Sequence, residues 1–502
     1  MHGFPLSREW WVFLHNAASA APPSLWLCGL FMREHPRFGT KVTMHTFHPT
    51  ILREYDIRGI VGETLFAADA FAIGKAFGTR VRRAGGRTVC VGWDGRLSSP
   101  ELAAALVDGL VSAGCRVAKV GRGPTPMLYY AAKIKGADGG IMVTGSHNPP
   151  THNGFKMVFQ GKPFFGPDIK DLGTIAAGGD WLDGAGAGEA VDEPVFAEYV
   201  DRLLADYDGV HPLKVVWDCG NGAAGEVAQE LARRLPGTHT VLFGDIDGTF
   251  PNHHPDPTEP HNLRALMDEV LFSHAHLGLA FDGDGDRVGV VDAEGRILWG
   301  DQILVILAED LLKSRPGAPI IADVKASKVF FDEVARLGGQ PVMGRTGHSL
   351  IKTQMAEIGA PLAGEMSGHI FFADKYYGFD DALYAAIRLL GIVARWQGQT
   401  LASRRDKLPH MVNTPEMRFD CAEERKFQVV AEVKERLAAA GAKVNAIDGV
   451  RVDTDDGWWL LRASNTQAVL VARCEATHAD GLKRLRKALE AQLTASGVAL
   501  PH

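Results

Sequence analysis

Short apolar runs alternate with amphipathic stretches along most of the chain from Thr64 onward. The run TVCVGWDG at 88–95 has the composition of a buried strand, and the segment at 99–114 that follows it has the apolar spacing of a helix. The same succession recurs from 214–222 and from 319–327. Apolar strands that alternate with helices predict α/β units whose largely parallel strands are covered by helices on both faces.

Each of these three strands runs into a loop that contains an aspartate. The aspartates are Asp94, Asp218 and Asp323. This weak internal repeat predicts three related α/β units with their loops clustered at the carboxyl ends of the strands. After Pro409 an amphipathic helix, alternating segments and a final helix predict a smaller α+β domain.

The predicted fold class is therefore α/β, with three related domains that contain mixed, largely parallel sheets and a smaller C-terminal α+β domain. Domain boundaries are expected near Pro194, Trp299 and Pro409. The chain then divides into an N-terminal extension at 1–43, α/β domains at 44–194, 195–298 and 299–409, and the C-terminal domain at 410–502.

Composition and charge narrow the class of partner. Hydrophobic residues at 46% and charged residues at 23% are typical of globular proteins. The net charge of −7 argues against binding to nucleic acid and against polybasic attachment to a membrane, so an anionic substrate would need a local basic pocket. The six cysteines form neither a CxxC pair nor a metal-finger spacing, which favours reduced thiols in a cytoplasmic protein.

The N-terminal stretch from Trp10 to Met32 contains no Asp, Glu, Lys or Arg, as in a signal peptide or a membrane anchor. Pro22-Pro23 and several polar residues interrupt the stretch, so it is a poor membrane-spanning helix. We interpret residues 1–43 as a poorly ordered extension, such as a start codon assigned upstream of Met44 would produce.

The strongest chemical motif is DGDGDR at 282–287, which follows a strand-like apolar run. Alternate residues of an extended segment point the same way, so Asp282, Asp284 and Asp286 are expected to face one ion. Three hard oxygen ligands suit Mg²⁺ and leave room for a phosphoryl oxygen and water. The glycine and glutamate that a calcium EF-hand requires are missing here, while an acidic turn without a metal stays an alternative.

Three further motifs combine turn formers with reactive groups. TGSHNPP at 144–150 is either a simple turn or the site of a nucleophilic serine. GEMSGH at 364–369 offers a carboxylate, a hydroxyl and an imidazole that suit sugar hydroxyls, or else it is a glycine-rich turn. RASNTQ at 462–467 offers a guanidinium, two hydroxyls and an amide that suit a phosphate dianion, or else it only ends a strand.

Together and in this order, the four motifs resemble those of the α-D-phosphohexomutase superfamily, and the nearest likeness is to its bacterial phosphomannomutase/phosphoglucomutase branch. The resemblance runs from YDIRG at 55–59 to the C-terminal end and excludes the N-terminal extension. It implies four domains around a central cleft, in agreement with the organisation that the pattern of strands and helices predicts.

The resemblance implies an isomerase that interconverts hexose 1-phosphates and hexose 6-phosphates, with these small molecules as its partners. Ser146 would carry a phosphoryl group and pass it to the free end of the sugar, giving a hexose 1,6-bisphosphate that turns round in the cleft. Mg²⁺, held by Asp282, Asp284, Asp286 and the phosphorylated Ser146, would stabilise the charge.

The resemblance also implies roles for single residues. Glu365 and Ser367 would recognise the 3- and 4-hydroxyls of the sugar, and Lys156 and His348 are the candidates for proton transfer. The catalytic candidates are Ser146, His147, Lys156, His348 and Arg58. The candidates for substrate binding are Tyr55, Arg287, Lys325, Thr346, Gly347, Glu365, Ser367, His369, Arg462, Ser464, Asn465 and Thr466.

Three alternatives to this function differ in what they require of the sequence. A phosphoglucosamine mutase uses the same relay but usually carries glutamine where Met366 stands, which favours glucose and mannose phosphates. A metal-dependent phosphohydrolase would not need the separate sugar and phosphate motifs. A non-catalytic sugar-phosphate binding protein would be free to lose Ser146 or the aspartates, and all are present.

We expect the protein to be a monomer or a weak dimer.

A chain that begins at Met44 is expected to fold and to turn over hexose phosphates at close to the full-length rate, because no motif precedes residue 55. Thermal unfolding and specific activity of the two chains test this expectation. A shortened protein that is insoluble, or folded but inactive, would show that the extension packs on the enzyme.

Overall fold

The computed structural model describes residues 44–184, 186–465 and 467–499. The expected N-terminal extension at 1–43 and the candidate Thr466 lie outside the described residues. Four sheets follow one another along the described chain. Among the described helices none combines the length and the apolar character that crossing a membrane requires.

The first unit is a helix-covered, seven-stranded sheet. Its elements are β1 (Ile57–Ile60), α1 (Ala67–Arg83), β2 (Thr88–Trp93), α2 (Ser99–Ser112), β3 (Arg116–Arg122), α3 (Thr125–Ile134), β4 (Gly139–Val143), β5 (His152–Phe159), β6 (Lys162–Pro163), α4 (Pro167–Gly178) and β7 (Glu189–Asp192). The strand order is β1-β5-β4-β2-β3-β7, with β6 beside β5. Strands β4, β2, β3 and β7 are parallel, and β5 is antiparallel to both of its long neighbours.

The second unit repeats this plan on a five-stranded sheet. A short 3-10 turn at Pro260–Leu263 precedes its third helix; the elements are α5 (Phe196–Leu204), β8 (Leu213–Asp218), α6 (Gly225–Arg234), β9 (Gly237–Leu242), α7 (Arg264–Ser273), β10 (Leu277–Phe281), β11 (Val288–Asp292) and β12 (Ile297–Leu298). The strand order is β12-β11-β10-β8-β9, in which β10, β8 and β9 are parallel and β11 runs antiparallel to β10.

The third unit has four strands. Its elements are α8 (Gly300–Ser314), β13 (Pro319–Asp323), α9 (Lys328–Arg336), β14 (Gln340–Gly344), α10 (His348–Ile358), β15 (Leu362–Gly364), β16 (Ile370–Phe372), α11 (Ala382–Arg395) and α12 (Leu401–Arg405). The strand order is β14-β13-β15-β16, and only β16 is antiparallel to its neighbour.

The fourth unit is an antiparallel sheet covered by two helices. Its elements are β17 (Val412–Asn413), β18 (Met417–Asp420), α13 (Glu423–Ala439), β19 (Val444–Asn445), β20 (Val450–Thr454), β21 (Gly457–Ala463), β22 (Val469–Ala476) and α14 (Ala479–Thr494). Val433 of α13 and Leu489 of α14 share one apolar core with Trp459 and Leu461 of β21. The predicted fold class, three related α/β units and a smaller C-terminal α+β unit, is confirmed.

The first three sheets share one strand order, and this order fixes where the chemical motifs lie. The runs β5-β4-β2-β3, β11-β10-β8-β9 and β16-β15-β13-β14 are equivalent. In each run the last parallel strand turns back into an antiparallel partner, and TGSHNPP, DGDGDR and GEMSGH begin at these three turns. The aspartates that follow the central strands help to hold them, since Asp94 Oδ2 accepts a hydrogen bond from Gly145 N at 3.1 Å and Asp323 Oδ1 accepts one from Met366 N at 3.0 Å.

Candidate active site

Ser146 lies in the turn between β4 and β5 and is 2% exposed. Its φ of 49° is left-handed, a conformation that is unfavourable for residues other than glycine. Its amide donates to Thr144 Oγ1 at 2.8 Å, and its hydroxyl donates to Asp282 Oδ2 at 3.0 Å. His147 Nδ1 lies 3.2 Å from the same hydroxyl. The serine is thus a buried group aimed at the acidic motif, which a simple surface turn would not require.

The acidic motif brings three carboxylates together at full burial. Asp282, Asp284 and Asp286 are 0% exposed, and one oxygen of each lies within 4.8 Å of the others. The segment is not extended, contrary to the expectation from the sequence. Gly285 donates from its amide to Asp282 O at 3.1 Å and has a left-handed φ of 73°. A tight turn, rather than alternation along a strand, makes the carboxylates converge.

The carboxylates lack part of the compensation that their burial demands. Burial, followed by the charges of Asp286 and Asp284, raises the pKa of Asp282 well above its ordinary value. Lys156 Nζ donates to Asp284 Oδ2 at 2.8 Å and also bonds to Asp286. Within the described part of the chain, Asp284 Oδ1 and Asp286 Oδ1 are buried without a hydrogen-bond partner. Buried carboxylate oxygens that converge on one point fit a hard divalent cation.

Positive groups lie near His147, the residue that follows Ser146. Burial, followed by the charges of Arg287, Arg58 and Lys156, lowers the pKa of His147 well below its ordinary value, so this imidazole is neutral. Although burial opposes it, the carboxylates of the acidic motif raise the pKa of Lys156, which keeps its ammonium charged. A chain with a net charge of −7 therefore provides the local basic pocket that an anionic substrate needs.

GEMSGH forms the turn between β15 and β16. Glu365 Oε1 accepts a hydrogen bond from Gly347 N at 2.7 Å, and burial raises the pKa of the Glu365 carboxyl. Gly368 donates from its amide to Glu365 O at 3.0 Å, so this segment too is a turn and not the extended loop that the sequence suggested. Ser367 lies in the same turn and is half-buried, whereas His369 is buried.

His369 connects this turn to the acidic motif. Arg287 Nε donates to His369 Nε2 at 3.0 Å, and Val288 N donates to Gly368 O at 3.0 Å. His369 Nδ1 lies 3.6 Å from Asp286 Oδ1 and 3.1 Å from Asp380 Oδ2. The carboxylates and the candidate sugar-binding groups therefore belong to one network.

Asp380 is a part of the site that sequence reasoning missed. Lys352 Nζ donates to Asp380 Oδ1 at 2.8 Å and lies 3.2 Å from His348 Nδ1. The His348 ring stacks on His369 with 5.6 Å between centroids. Burial, then the charge of Lys352, lowers the pKa of His348 to about 4. The sequence does contain a signal for Asp380, namely the pair of aspartates before α11. Only the second, Asp381, is needed to cap the helix, so the first is left for another role.

The C-terminal motif belongs to a second polar cluster. Arg462 Nε donates to Asp448 Oδ2 at 3.0 Å, and Thr346 N donates to the same oxygen at 3.0 Å. Asn465 Nδ2 donates to Tyr55 Oη at 2.5 Å, and this hydroxyl donates to Thr346 O at 3.0 Å. Residues of the first, third and fourth units thus meet at Tyr55. Asp448 was also missed, and nothing in its local sequence marks it.

The remaining candidates lie beside these two clusters. Lys325 Nζ, in the loop after β13, is 3.2 Å from Glu416 Oε2 and 3.8 Å from Asp323 Oδ2. Ser464 follows β21, and its amide donates to Val469 O at 3.0 Å. Arg58 lies in β1 and pairs with Asp56. Apart from Thr466, every candidate residue lies at one of the two clusters or beside them.

The chain resembles characterised proteins over most of its length. The family descriptions "Phosphoglucomutase/phosphomannomutase, alpha/beta/alpha domain" I, II and III match residues 49–181, 197–295 and 299–412, and the C-terminal domain of the same family matches 416–492. A phosphomannomutase/phosphoglucomutase of Pseudomonas aeruginosa is 44% identical over 456 residues, which cover 91% of this chain and 98% of the relative. A phosphoglucomutase of Neisseria meningitidis is 40% identical over 443 residues, which cover 88% and 96%. The crystal structure of a phosphoglucomutase/phosphomannomutase family protein from Burkholderia thailandensis has a TM-score of 0.86 and 44% identity, covering 91% of this chain and 100% of that chain.

Replacing His348 by Asn is expected to flatten the dependence of stability on pH between about 4 and 6.5. In this range the unfolded chain binds a proton at His348 that the folded chain excludes, so acidification through 6.5 destabilises the fold of the wild type until the folded pKa is reached. Free energies of unfolding in urea at several pH values measure the slope. The exposed His261, replaced in the same way, is the control for loss of an imidazole. An unchanged slope in His348→Asn would contradict the prediction.

Proposed function

The chain belongs to the phosphoglucomutase/phosphomannomutase family of the α-D-phosphohexomutase superfamily and is a phosphohexomutase, and from this premise we propose that it interconverts the 1- and 6-phosphates of glucose and mannose through a phosphoserine at Ser146. One observation carries the proposal. The Ser146 hydroxyl, buried on a left-handed turn, lies 3.0 Å from Asp282 and next to His147, which the charges of Arg287, Arg58 and Lys156 reach. This is the environment of a group that takes up and returns a phosphoryl group.

In the proposed reaction the phosphoryl group moves twice. First, a free sugar hydroxyl oxygen forms a bond to phosphorus while the bond from Ser146 Oγ to phosphorus breaks, giving a hexose 1,6-bisphosphate. The bisphosphate then turns round, and Ser146 Oγ takes the other phosphate while the sugar oxygen regains a proton. His348, neutral at pH 7 because its pKa is about 4, is the candidate that takes the sugar hydroxyl proton in the first transfer and returns it in the second. Lys156, held as an ammonium, is the candidate that protonates Ser146 Oγ when its bond to phosphorus breaks and takes that proton back when Ser146 is phosphorylated again.

Asp282, Asp284 and Asp286 would hold Mg²⁺, together with an oxygen of the phosphorylated Ser146. When bound, Mg²⁺ supplies Lewis-acid neutralisation of the charge on the phosphoryl oxygens. Lys156, Arg58 and Arg287, whose charges reach His147 beside Ser146, would contribute further positive charge to these oxygens. Since phosphoryl transfer has a loose transition state, positioning and charge neutralisation are the main tasks of the protein.

The sugar would lie between the two polar clusters. Glu365, oriented by the amide of Gly347, and Ser367 are proposed to bind the 3- and 4-hydroxyls, with His369 and Lys325 beside them. Arg462, Ser464, Asn465 and Thr466 are proposed to hold the phosphate that is not being transferred, with Tyr55 and Thr346 at the edge of this cradle.

We further propose that the enzyme acts in the cytoplasm as a monomer or a weak dimer. The described cysteines are all unpaired, which suits a reducing compartment. The unpaired cysteines are Cys90, Cys115, Cys219, Cys421 and Cys474. Sedimentation of the purified enzyme at micromolar concentration tests the expected oligomeric state.

Ser146→Ala is expected to abolish most turnover while hexose-phosphate binding stays within a few-fold of the wild type, because the relay atom is lost and the cradle is kept. Mutase assays with glucose 1-phosphate, mannose 1-phosphate and glucosamine 1-phosphate, and calorimetric binding of the first two, measure the two effects. Intact mass is expected to show a phosphorylated fraction in the wild type and none in the variant. Thr151→Ala, at an exposed hydroxyl near the end of the same loop, is the matched control. Wild-type turnover in Ser146→Ala would end the relay hypothesis.

Arg462→Ala is expected to weaken the binding of glucose 1-phosphate and glucose 6-phosphate equally, by about ten- to a hundredfold, since one cradle serves both ends of the sugar. This range corresponds to loss of a charge-assisted contact worth about 1.5–3 kcal/mol. Released bisphosphate should also rise, because the intermediate escapes before its second transfer. KM for each monophosphate and bisphosphate released per turnover are the measurements.

The control for Arg462→Ala is Arg484→Ala, which removes an arginine paired at the surface of the same unit. It should leave both KM values and bisphosphate release unchanged. A defect of Arg462→Ala that is confined to one substrate, without extra bisphosphate, would mean that two separate phosphate sites exist.

A further inference from the structure

Arg96 follows β2 and is 1% exposed, yet it belongs to none of the candidate groups. Its guanidinium donates to four backbone carbonyl oxygens of the serine loop. Nη2 donates to Ser146 O at 2.7 Å and to Asn148 O at 2.6 Å. Nη1 donates to Pro149 O at 2.6 Å and to His152 O at 3.0 Å. One side chain thus binds the loop from Ser146 to His152, the first residue of β5.

Asp94 completes this arrangement from the same β2–α2 loop. Its Oδ2 lies 3.2 Å from Arg96 Nε and accepts the bond from Gly145 N, the residue before the nucleophile. Its Oδ1 accepts from the amide of Arg96 at 3.0 Å and from Ser99 Oγ at 2.5 Å. The carboxylate and the guanidinium therefore hold the serine loop through its donors and its acceptors at once.

Arg96 is tightly packed on both sides. A Cβ on Gly145 would lie 2.4 Å from Arg96 Nε, so only glycine lets the loop lie against the guanidinium. On the other side, the Phe250 ring lies 5.1 Å from Arg96 Cζ, and a Cβ on Gly248 would lie 2.5 Å from Arg96 Cα. Both residues belong to the second unit, which also carries the acidic motif.

The same contacts bear on the strained backbone of Ser146. Its left-handed φ of 49° persists only if the surroundings fix the peptides on both sides. The peptide that follows Ser146 is fixed through Ser146 O, which accepts from Arg96, and the peptide that precedes it is fixed by Ser146 N, which donates to Thr144 Oγ1. One peptide further back, Gly145 N is held by Asp94. A Cβ on Gly283 would lie 2.3 Å from Ser146 O, so the acidic turn closes over that carbonyl.

We propose that Arg96, supported by Asp94, is a positioning residue that holds the Ser146 loop in its left-handed conformation and in register with the acidic turn. This inference rests on the proposed function and deepens it, because it names what keeps the nucleophile aimed at its partners. Arg96 touches neither the sugar-binding groups nor the phosphate cradle, so its contribution falls on the phosphoryl-transfer step and not on substrate binding.

The test uses Arg96→Lys, which keeps the charge but loses the forked donors, and Arg96→Met, which keeps much of the volume without any donor. We expect kcat to fall by about a hundredfold, the effect of a misplacement of about 1 Å in a reacting group, while KM for glucose 1-phosphate changes less than about threefold. Phosphorylation of Ser146 by glucose 1,6-bisphosphate should slow in parallel, as followed by intact mass. Arg122→Lys, at an exposed ion pair on the end of β3, should behave as wild type.

A folded Arg96 variant with kcat within about threefold of the wild type would overturn the inference, and so would a loss that appears mainly in KM. If neither Arg96 variant folds, Asp94→Asn decides on the same criteria, since it removes the charge next to the guanidinium and keeps the shape. Chemical rescue of Arg96→Ala by millimolar guanidinium, without rescue by ammonium, would support the requirement for a forked donor.

Amide hydrogen exchange at 145–152 separates this inference from the proposed function. Loss of protection there in Arg96→Lys, with no change in the fourth unit, would support the positioning role even if the wild type showed no mutase activity. Conversely, a wild type that is phosphorylated and active, with unchanged exchange and kcat in Arg96→Lys, would leave the proposed function intact and remove Arg96 from it.

Discussion

Burial of three carboxylates within 4.8 Å of one another is the constraint on which the rest of the site depends. Like charges in a region shielded from water repel strongly, so positive groups have to be brought in from elsewhere in the chain. Lys156 comes from the first unit and Arg287 from the turn itself, where its Nε donates to His369 of the third unit. The same cations form the pocket in which a phosphoryl group would be neutralised. Charge compensation in the folded chain and the proposed binding of an anionic substrate would therefore use one set of residues.

The common strand order of the first three sheets explains how such different chemistry arises on related units. At the turn after the last parallel strand, the first unit places a serine, the second three carboxylates, and the third a glutamate and a histidine. Two of these turns are anchored to an aspartate at the end of the central strand, Asp94 in one and Asp323 in the other. The three units thus share one backbone plan and differ in the residues of this turn. Each turn supplies one part of the site, and the site forms only where the three turns face each other.

Much of this was accessible from the sequence, because it depends on local patterns. The apolar runs ending at Asp94, Asp218 and Asp323 identified the parallel strands, and the acidic motif identified itself by its spacing. The return strands β5, β11 and β16 were missed.

Contacts between distant segments were missed for a different reason. Asp380 and Asp448 have ordinary surroundings in sequence, and their partners Lys352 and Arg462 are defined only by the fold. The convergence of the aspartates was predicted correctly, but the predicted extended segment was wrong. The tight turn at Gly285 is marked in the sequence only by the glycine itself.

The bond between Asn465 and Tyr55 spans 410 positions of the chain, and that between Ser146 and Asp282 spans 136. Local folding of a nascent chain can form the first sheet early, but Ser146 then lacks Asp282, and Tyr55 lacks Asn465. The two polar clusters are therefore complete only after the fourth unit has been synthesised and has folded. A chain that ends before the fourth unit, or a proteolytic fragment without it, retains Ser146 and Asp282 but lacks Arg462 and Asn465, and so has no complete second cluster.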